Sequence, residues 1–121
     1  YFSVVLRKGY GLGAMGMTAG GFHAPVFTVA WPTGEFGAMG LEGAVRLGFR
    51  KELEAQPEGP ARDALFAELL ARQYANGEAM QMATTLEIDA VIDPADTRAW
   101  LARGLASARV APLAHRFVDT W

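Results

Sequence analysis

Cysteine is missing altogether from the 121-residue chain. That removes disulfides, cysteine nucleophiles and thiolate metal sites together, and it is compatible with a reducing compartment. Long hydrophobic runs are missing too. None approaches the ~20 apolar residues needed to span a bilayer. The opening residues carry no charged stretch leading into an apolar one, so they do not read as a signal peptide. A large excess of charge of one sign is missing: Lys and Arg number 11 against 13 Asp and Glu, a net charge of −2. A nucleic-acid or anionic-membrane binder needs a basic excess. Side-chain catalysts are scarce as well. The two histidines, His23 and His115, lie far apart, and each reads as a structural or surface residue. No HExxH, serine nucleophile elbow, Walker loop or EF-hand loop occurs.

What is present describes a globular chain. Hydrophobic residues make up 51% and charged residues 20%, which argues against intrinsic disorder. A chain of this length buries roughly two-thirds of the surface its unfolded form exposes, enough for one domain or a piece of one. It begins without Met, directly in the strand-like run Tyr1-Phe2-Ser3-Val4-Val5-Leu6. That start is expected of the back part of a longer protein, or of a piece cut from one.

The glycines are uneven: ten of the 14 lie between Gly9 and Gly43. The first third therefore reads as strands and tight turns, and the remainder, rich in alanine, as helices. Phe2–Leu6 is expected to be a strand, followed by a turn into a short helix across Arg7–Met17 that Gly20-Gly21 ends. Val26–Ala30 is nearly all apolar, as in a strand covered on both faces. Trp31–Glu35 is expected to be a loop, since Pro32 cannot extend a ladder. One helix is expected over Leu41–Leu53. Another starts at Pro60 with Leu65, Phe66, Leu69, Leu70 and Tyr74 as its apolar stripe. Asn76 is a candidate cap for a helix carrying Met80, Ala83 and Leu86. Ala90–Ile92 is a short buried strand. Asp93-Pro94-Ala95-Asp96 then opens a final helix with Trp100, Leu101, Leu105 and Ala108 on its apolar side. Gly104 costs that helix ~1 kcal/mol unless something packs closely there. Short buried strands alternating with amphipathic helices indicate an α/β or mixed α/β layer structure.

Two places remain where chemistry could reside. Glu35 beside Trp31 reads either as a carboxylate with a raised pKa or, preferably, as a hydrogen-bonding acid of a loop or cap. Met15, Met17, Met39, Met80 and Met82 read as core filler, and the mixed helix charges as solvated faces. The glycine-rich stretch Gly9–Gly16, set between a strand and a helix, offers unpaired N–H groups at a positive dipole end. Such a turn holds an anion or a developing oxyanion, or is simply a structural tight turn. Leu12 and Gly13 would be its two successive donors. The spacing Gly11-x-Gly13-x-x-Gly16 matches the dinucleotide fingerprint only as a bare spacing, with Glu35 near the position of the ribose acid.

Four segments in order carry a resemblance: Arg7-Lys8-Gly9-Tyr10-Gly11, Ala30–Glu35, Met39–Val45 and Ile92–Arg98. Together they resemble the carboxyltransferase β subunit of biotin-dependent acyl-CoA carboxylases. That family includes propionyl-, acetyl-, methylcrotonyl- and geranyl-CoA carboxylases and related decarboxylases and transcarboxylases. The resemblance runs from about Phe2 to Leu105 and implies a crotonase-like fold of ββα units. Residues 1–121 would then be the C-terminal part of a carboxyltransferase C-terminal domain. It implies transfer of a carboxyl group from carboxybiotin, borne on a carrier protein, to the α-carbon of an acyl-CoA bound by the first domain of a partner subunit. It also implies a biotin carboxylase partner, a homo-oligomer of the hexamer type, no metal, no nucleic acid, no membrane, and a cytoplasmic or mitochondrial-matrix setting. The family's R-K-A-Y-G-G-A falls on Arg7 to Gly13. Its final pair, facing the biotin ureido oxygen through backbone N–H groups, falls on Leu12 and Gly13. Both differ from the pattern, but a backbone donor survives a side-chain change. Tyr10, Gly11 and Met15 become substrate-binding positions. Met15 stands where propionyl-type enzymes carry an acid that helps choose the acyl chain, so a larger or more apolar acyl group is expected. No side-chain base is required, because the biotin nitrogen takes the α-proton. The isolated chain is expected to be inactive. A related decarboxylase or transcarboxylase, and a non-catalytic assembly domain of the same fold, are the alternatives.

Overall fold

The structure, a computed structural model, describes residues 1–109; His115 lies outside the described residues. Two strand–strand–helix units come first. Strand β1 (Ser3–Val5) and β2 (Lys8–Tyr10) lead into α1 (Gly11–Met17); β3 (Thr28–Ala30) and β4 (Glu35–Gly37) lead into α2 (Leu41–Gly48). Then follow α3 (Arg50–Glu54), α4 (Pro60–Asn76), α5 (Ala79–Thr84), β5 (Ala90–Val91), a 3₁₀ turn at Pro94–Asp96 and α6 (Thr97–Ser107).

The strands sort into two parallel sheets. The first has the order β1-β3-β5, with Val4 opposite Val29 and Ala30 opposite Val91. The second pairs β2 with β4, Lys8 opposite Glu35 and Tyr10 opposite Gly37. Side chains alternate along a strand, so the first sheet feeds two cores. Val5, Ala30 and Val91 face a cluster with Phe36, Ala79 and Ile88. Val4, Val29 and Ala90 face one with Phe27, Ile92 and Trp100. A third core, Val45, Leu53 and Leu69, joins α2, α3 and α4.

The expected strands at the first, third and fifth positions are present, each shorter than its apolar run. Pro60 opens α4 as expected. Asp93 accepts a hydrogen bond from the Ala95 N–H at 2.8 Å, as a cap should. Gly104 is buried where two aromatic rings meet: a Cβ there would lie 2.6 Å from Phe27 Cε1 and 2.7 Å from Phe2 Cε1. Those rings stack with centroids 4.9 Å apart.

Several expectations are corrected. Trp31–Glu35 is not all loop, because Glu35 begins β4 and pairs with Lys8. Residues 8–10, expected in a turn, form β2. The helix over Leu41–Leu53 is two helices, broken at Phe49 (φ −112°, ψ 28°), which turns its ring into the third core. Asn76 ends α4 rather than capping α5, whose N-cap is Glu78. Leu86 and Leu105 lie on the surface, 79% and 68% exposed. Of the methionines, only Met82 packs against a core; Met15, Met17, Met39 and Met80 are exposed.

Replacing Gly104 by alanine gains ~1 kcal/mol of helix propensity but overpacks the Phe2–Phe27 stack, which costs about 1–3 kcal/mol. Gly104→Ala is therefore expected to lower the urea midpoint. A raised midpoint would show that the rings yield freely.

Candidate functional site

The site grows from the way β2 becomes α1. Tyr10 ends the strand in an extended conformation (φ −113°, ψ 131°), and Gly11 then turns to φ +53°. Only glycine takes that conformation without strain. A Cβ at Gly11 would also lie 2.7 Å from the Ala38 carbonyl oxygen. The chain can therefore reverse into a helix only here, and only against the end of β4.

The first N–H groups of a helix have no partner within it. Leu12 and Gly13 occupy those positions in α1; no N-cap side chain bonds them, and among the described residues neither amide donates to a loop or turn carbonyl. Both residues are exposed, Leu12 at 82%. Nothing lies within 4 Å of the place where a Gly13 Cβ would be. The helix stands between two clefts. One of about 820 Å³ is lined by Leu12 and Met15 together with Phe22, Phe36, Leu41 and Met82. The other, about 690 Å³, is lined by Gly13, Ala14 and Met17 against Gly9 and Tyr10. Both are of a size that takes a small ligand. Two adjacent first-turn amides on exposed residues fit an oxygen carrying negative charge.

The structure thus brings Tyr10, Gly11, Leu12, Gly13 and Met15 together on one turn of chain. Glu35 joins them, which the sequence set beside Trp31 and, as a bare spacing, near the position of a ribose acid. The Tyr10 Oη–H donates to Glu35 Oε2 at 2.8 Å. The Lys8 ammonium sits 5.9 Å from the Tyr10 ring centre. Nearby, the Tyr74 hydroxyl donates to Glu42 Oε1 at 3.2 Å. That pair joins α4 to α2 across 32 residues of sequence, so no local signal announces it. Trp31 turns elsewhere, its Nε1–H donating to Thr97 Oγ1 at 3.0 Å. His23 lies on the surface with Nε2 3.5 Å from a Glu87 carboxylate oxygen.

Burial raises the Tyr10 phenol well above its ordinary range, and the Glu35 carboxylate that holds its proton raises it further. Tyr74 is raised by burial and then by Glu42. Glu42 is lowered first by a backbone N–H bond and then by the Tyr74 hydroxyl. No group of three or more His, Cys, Asp or Glu placed to hold a metal occurs among the described residues. No described helix is long and apolar enough to cross a membrane.

A phenol whose pKa is raised by folding stabilises the folded state fully below its unfolded pKa. That stability is lost as pH rises past about 10 toward the folded value. The chain is therefore expected to lose stability on this alkaline limb. Tyr10→Phe should reduce the slope of urea midpoint against pH there; an unchanged slope would mean that Tyr10 does not set it.

Residues 1–117 match the family model described as the carboxyl transferase domain. The methylmalonyl-CoA carboxyltransferase 12S subunit of Propionibacterium freudenreichii subsp. shermanii is 39% identical over 104 residues, covering 85% of this chain and 19% of that protein. A solved transcarboxylase 12S hexamer with methylmalonyl-CoA bound aligns with TM-score 0.76 at 34% identity, over 98% of this chain and 23% of its own. A single-chain, multi-domain long-chain acyl-CoA carboxylase aligns with TM-score 0.66 at 57% identity, over 83% of this chain and 9% of its own. The chain thus spans about a fifth of the length of such curated relatives (19% of the 12S subunit).

Proposed function

This chain belongs to the carboxyl transferase domain family, and we propose that within it the Gly11–Gly13 turn serves biotin-dependent carboxyl transfer to an acyl-CoA. The observation that carries the reading is the pair of first-turn amides at Leu12 and Gly13, which lack intrahelical partners and belong to exposed residues lining two clefts. Carboxybiotin on a carrier would supply the carboxyl group, and its ureido oxygen would be the group that these residues hold. The Leu12 and Gly13 N–H groups would receive that oxygen as charge develops, at the positive end of α1. Gly11 fixes their direction, and Tyr10 closes the strand behind them. The bare Cα of Gly13 lets a ring approach the main chain. Because the donors are backbone groups already held in place, they need no reorganisation during the reaction.

The two strand–strand–helix units, with alternate strands sorted into two sheets, support a crotonase-like architecture. Carrier protein, biotin carboxylase partner and hexameric assembly belong to the same proposal, as does a cytoplasmic setting. The 12S relative, a methylmalonyl-CoA carboxyltransferase, supports transcarboxylation as a second reading. Acceptor assays on the complete subunit separate the two. Met15, 48% exposed on the larger and mostly apolar cleft, supports an acyl group bulkier than propionyl. The similarity to a long-chain acyl-CoA carboxylase points the same way.

Gly13→Pro removes one N–H in the first helical turn, where no intrahelical bond is lost. In a carboxyltransferase containing this chain, it is expected to slow transfer about 10²–10³-fold with circular dichroism unchanged. A wild-type rate would end the proposal for this turn. Met15→Asp is expected to move the acyl-CoA profile toward shorter chains, read as kcat/KM across a chain-length series. An unmoved profile would remove Met15 from chain selection.

A further inference from the structure

Helix α1 has little of its own to hold it. It is seven residues long, and isolated helices shorter than ~12–15 residues are marginal in water. Three of its seven residues, Gly11, Gly13 and Gly16, are glycines, the weakest helix formers apart from proline. No side chain caps its N-terminus, no acid lies in its first turn, and none of its residues is buried; only its far end is tied, by the Thr18 hydroxyl donating to the Ala14 carbonyl at 2.8 Å. The amides at its start nevertheless have to point in one direction for any anion to find both. At that N-terminal end the constraint comes from the strand that precedes it.

Three contacts act at that junction. Tyr10 pairs with Gly37 in the β2–β4 ladder. Gly11 abuts the Ala38 carbonyl. The Tyr10 ring is pinned at its far end by the 2.8 Å hydrogen bond to Glu35. Lys8 pairs directly with Glu35, so Tyr10, two residues on, lies diagonally across the ladder on the same face. Lys8 sits above the ring while Glu35 takes the hydroxyl, so the ring is held at its face and at its tip. Glu35 is itself fixed, since its N–H donates to the Arg7 carbonyl at 2.6 Å. The clamp thus ties the last residue of β2, the N-cap residue of α1, to a neighbouring strand by a bond to a charged acceptor.

From this arrangement we propose that Glu35 is a positioning residue: by holding the Tyr10 hydroxyl it sets the direction of the Leu12 and Gly13 amides. Glu35 touches no substrate in this account and transfers no proton. The inference rests on the reading of those amides as a biotin oxyanion site, but its first test does not require biotin.

The experiment uses the whole 121-residue chain, ¹⁵N-labelled, with d-biotin as probe. Without ligand, Glu35→Ala and Tyr10→Phe should shift or broaden the Gly11, Leu12 and Gly13 amide resonances. The Val29 and Ala30 resonances of β3 should stay in place. Glu35→Gln keeps an acceptor oxygen and should leave both sets in place. Unmoved turn resonances in Tyr10→Phe overturn the proposal, even if Glu35→Ala disturbs the whole spectrum. Loss of the turn resonances in Glu35→Gln as well overturns the claim that acceptance is what matters. With d-biotin, shifts at Leu12 and Gly13 should weaken about tenfold in apparent affinity in Glu35→Ala, the worth of one hydrogen bond to a charged group, and return in Glu35→Gln. A wild-type chain that ignores d-biotin at those amides counts against the biotin reading alone, because the ligand-free spectra have then already decided the role of Glu35.

Discussion

The register in which Lys8–Tyr10 lies beside Glu35–Gly37 governs the site, and most of what surrounds it exists to keep that register. Two three-residue strands in parallel are too short to stand alone. β4 is held from its other side as well. The Phe36 N–H donates to the Gly77 carbonyl at 2.8 Å, and the Ala79 N–H to the Gly34 carbonyl at 3.0 Å. A Cβ at Gly77 would run into the Phe36 carbonyl, so the end of α4 approaches this strand only through glycine. Phe36 enters the first core under the strand. β4 is thus paired on both edges and anchored from below, and its fixed position makes Glu35 a reliable partner for Tyr10.

The elements legible in the sequence carry their own cause. Val4, Val5, Val29 and Val91 are apolar because their strands are covered, and composition alone reveals that. Pro60 and Asp93 act on the backbone next to them, so local chemistry finds them. Gly104 read as an anomaly in a helix, and its explanation, the Phe2–Phe27 stack, was foreseeable only in kind.

The parts that were not legible depend on distant chain. Lys8-Gly9-Tyr10 and Glu35-Phe36-Gly37 have weak strand propensity and become strands because each meets the other, 27 residues away at Lys8 and Glu35. Parallel partners share no hairpin turn that would mark them. Phe49 breaks a helix because its ring is needed in the third core, a tertiary preference that overrides periodicity. The methionines read as core and are largely exposed, because hydropathy records what a side chain tolerates rather than what covers it. At the site, the glycine turn was visible through its composition, whereas the Tyr10–Glu35 and Tyr74–Glu42 pairs were not, since nothing at either position names its partner.

A scan for reactive side chains is nearly empty because the candidate donors are peptide groups, present at every non-proline residue and distinguished only by being left free. Such a centre is written in shape rather than in residue identity. Gly11 is locked by its torsion and by the Ala38 oxygen, whereas the neighbouring Leu12, largely in solvent, can be exchanged without touching the N–H it carries. Mutational drift is then lopsided across adjacent positions: one admits a single amino acid, and the next is free to be remodelled for new cargo at no loss to the chemistry.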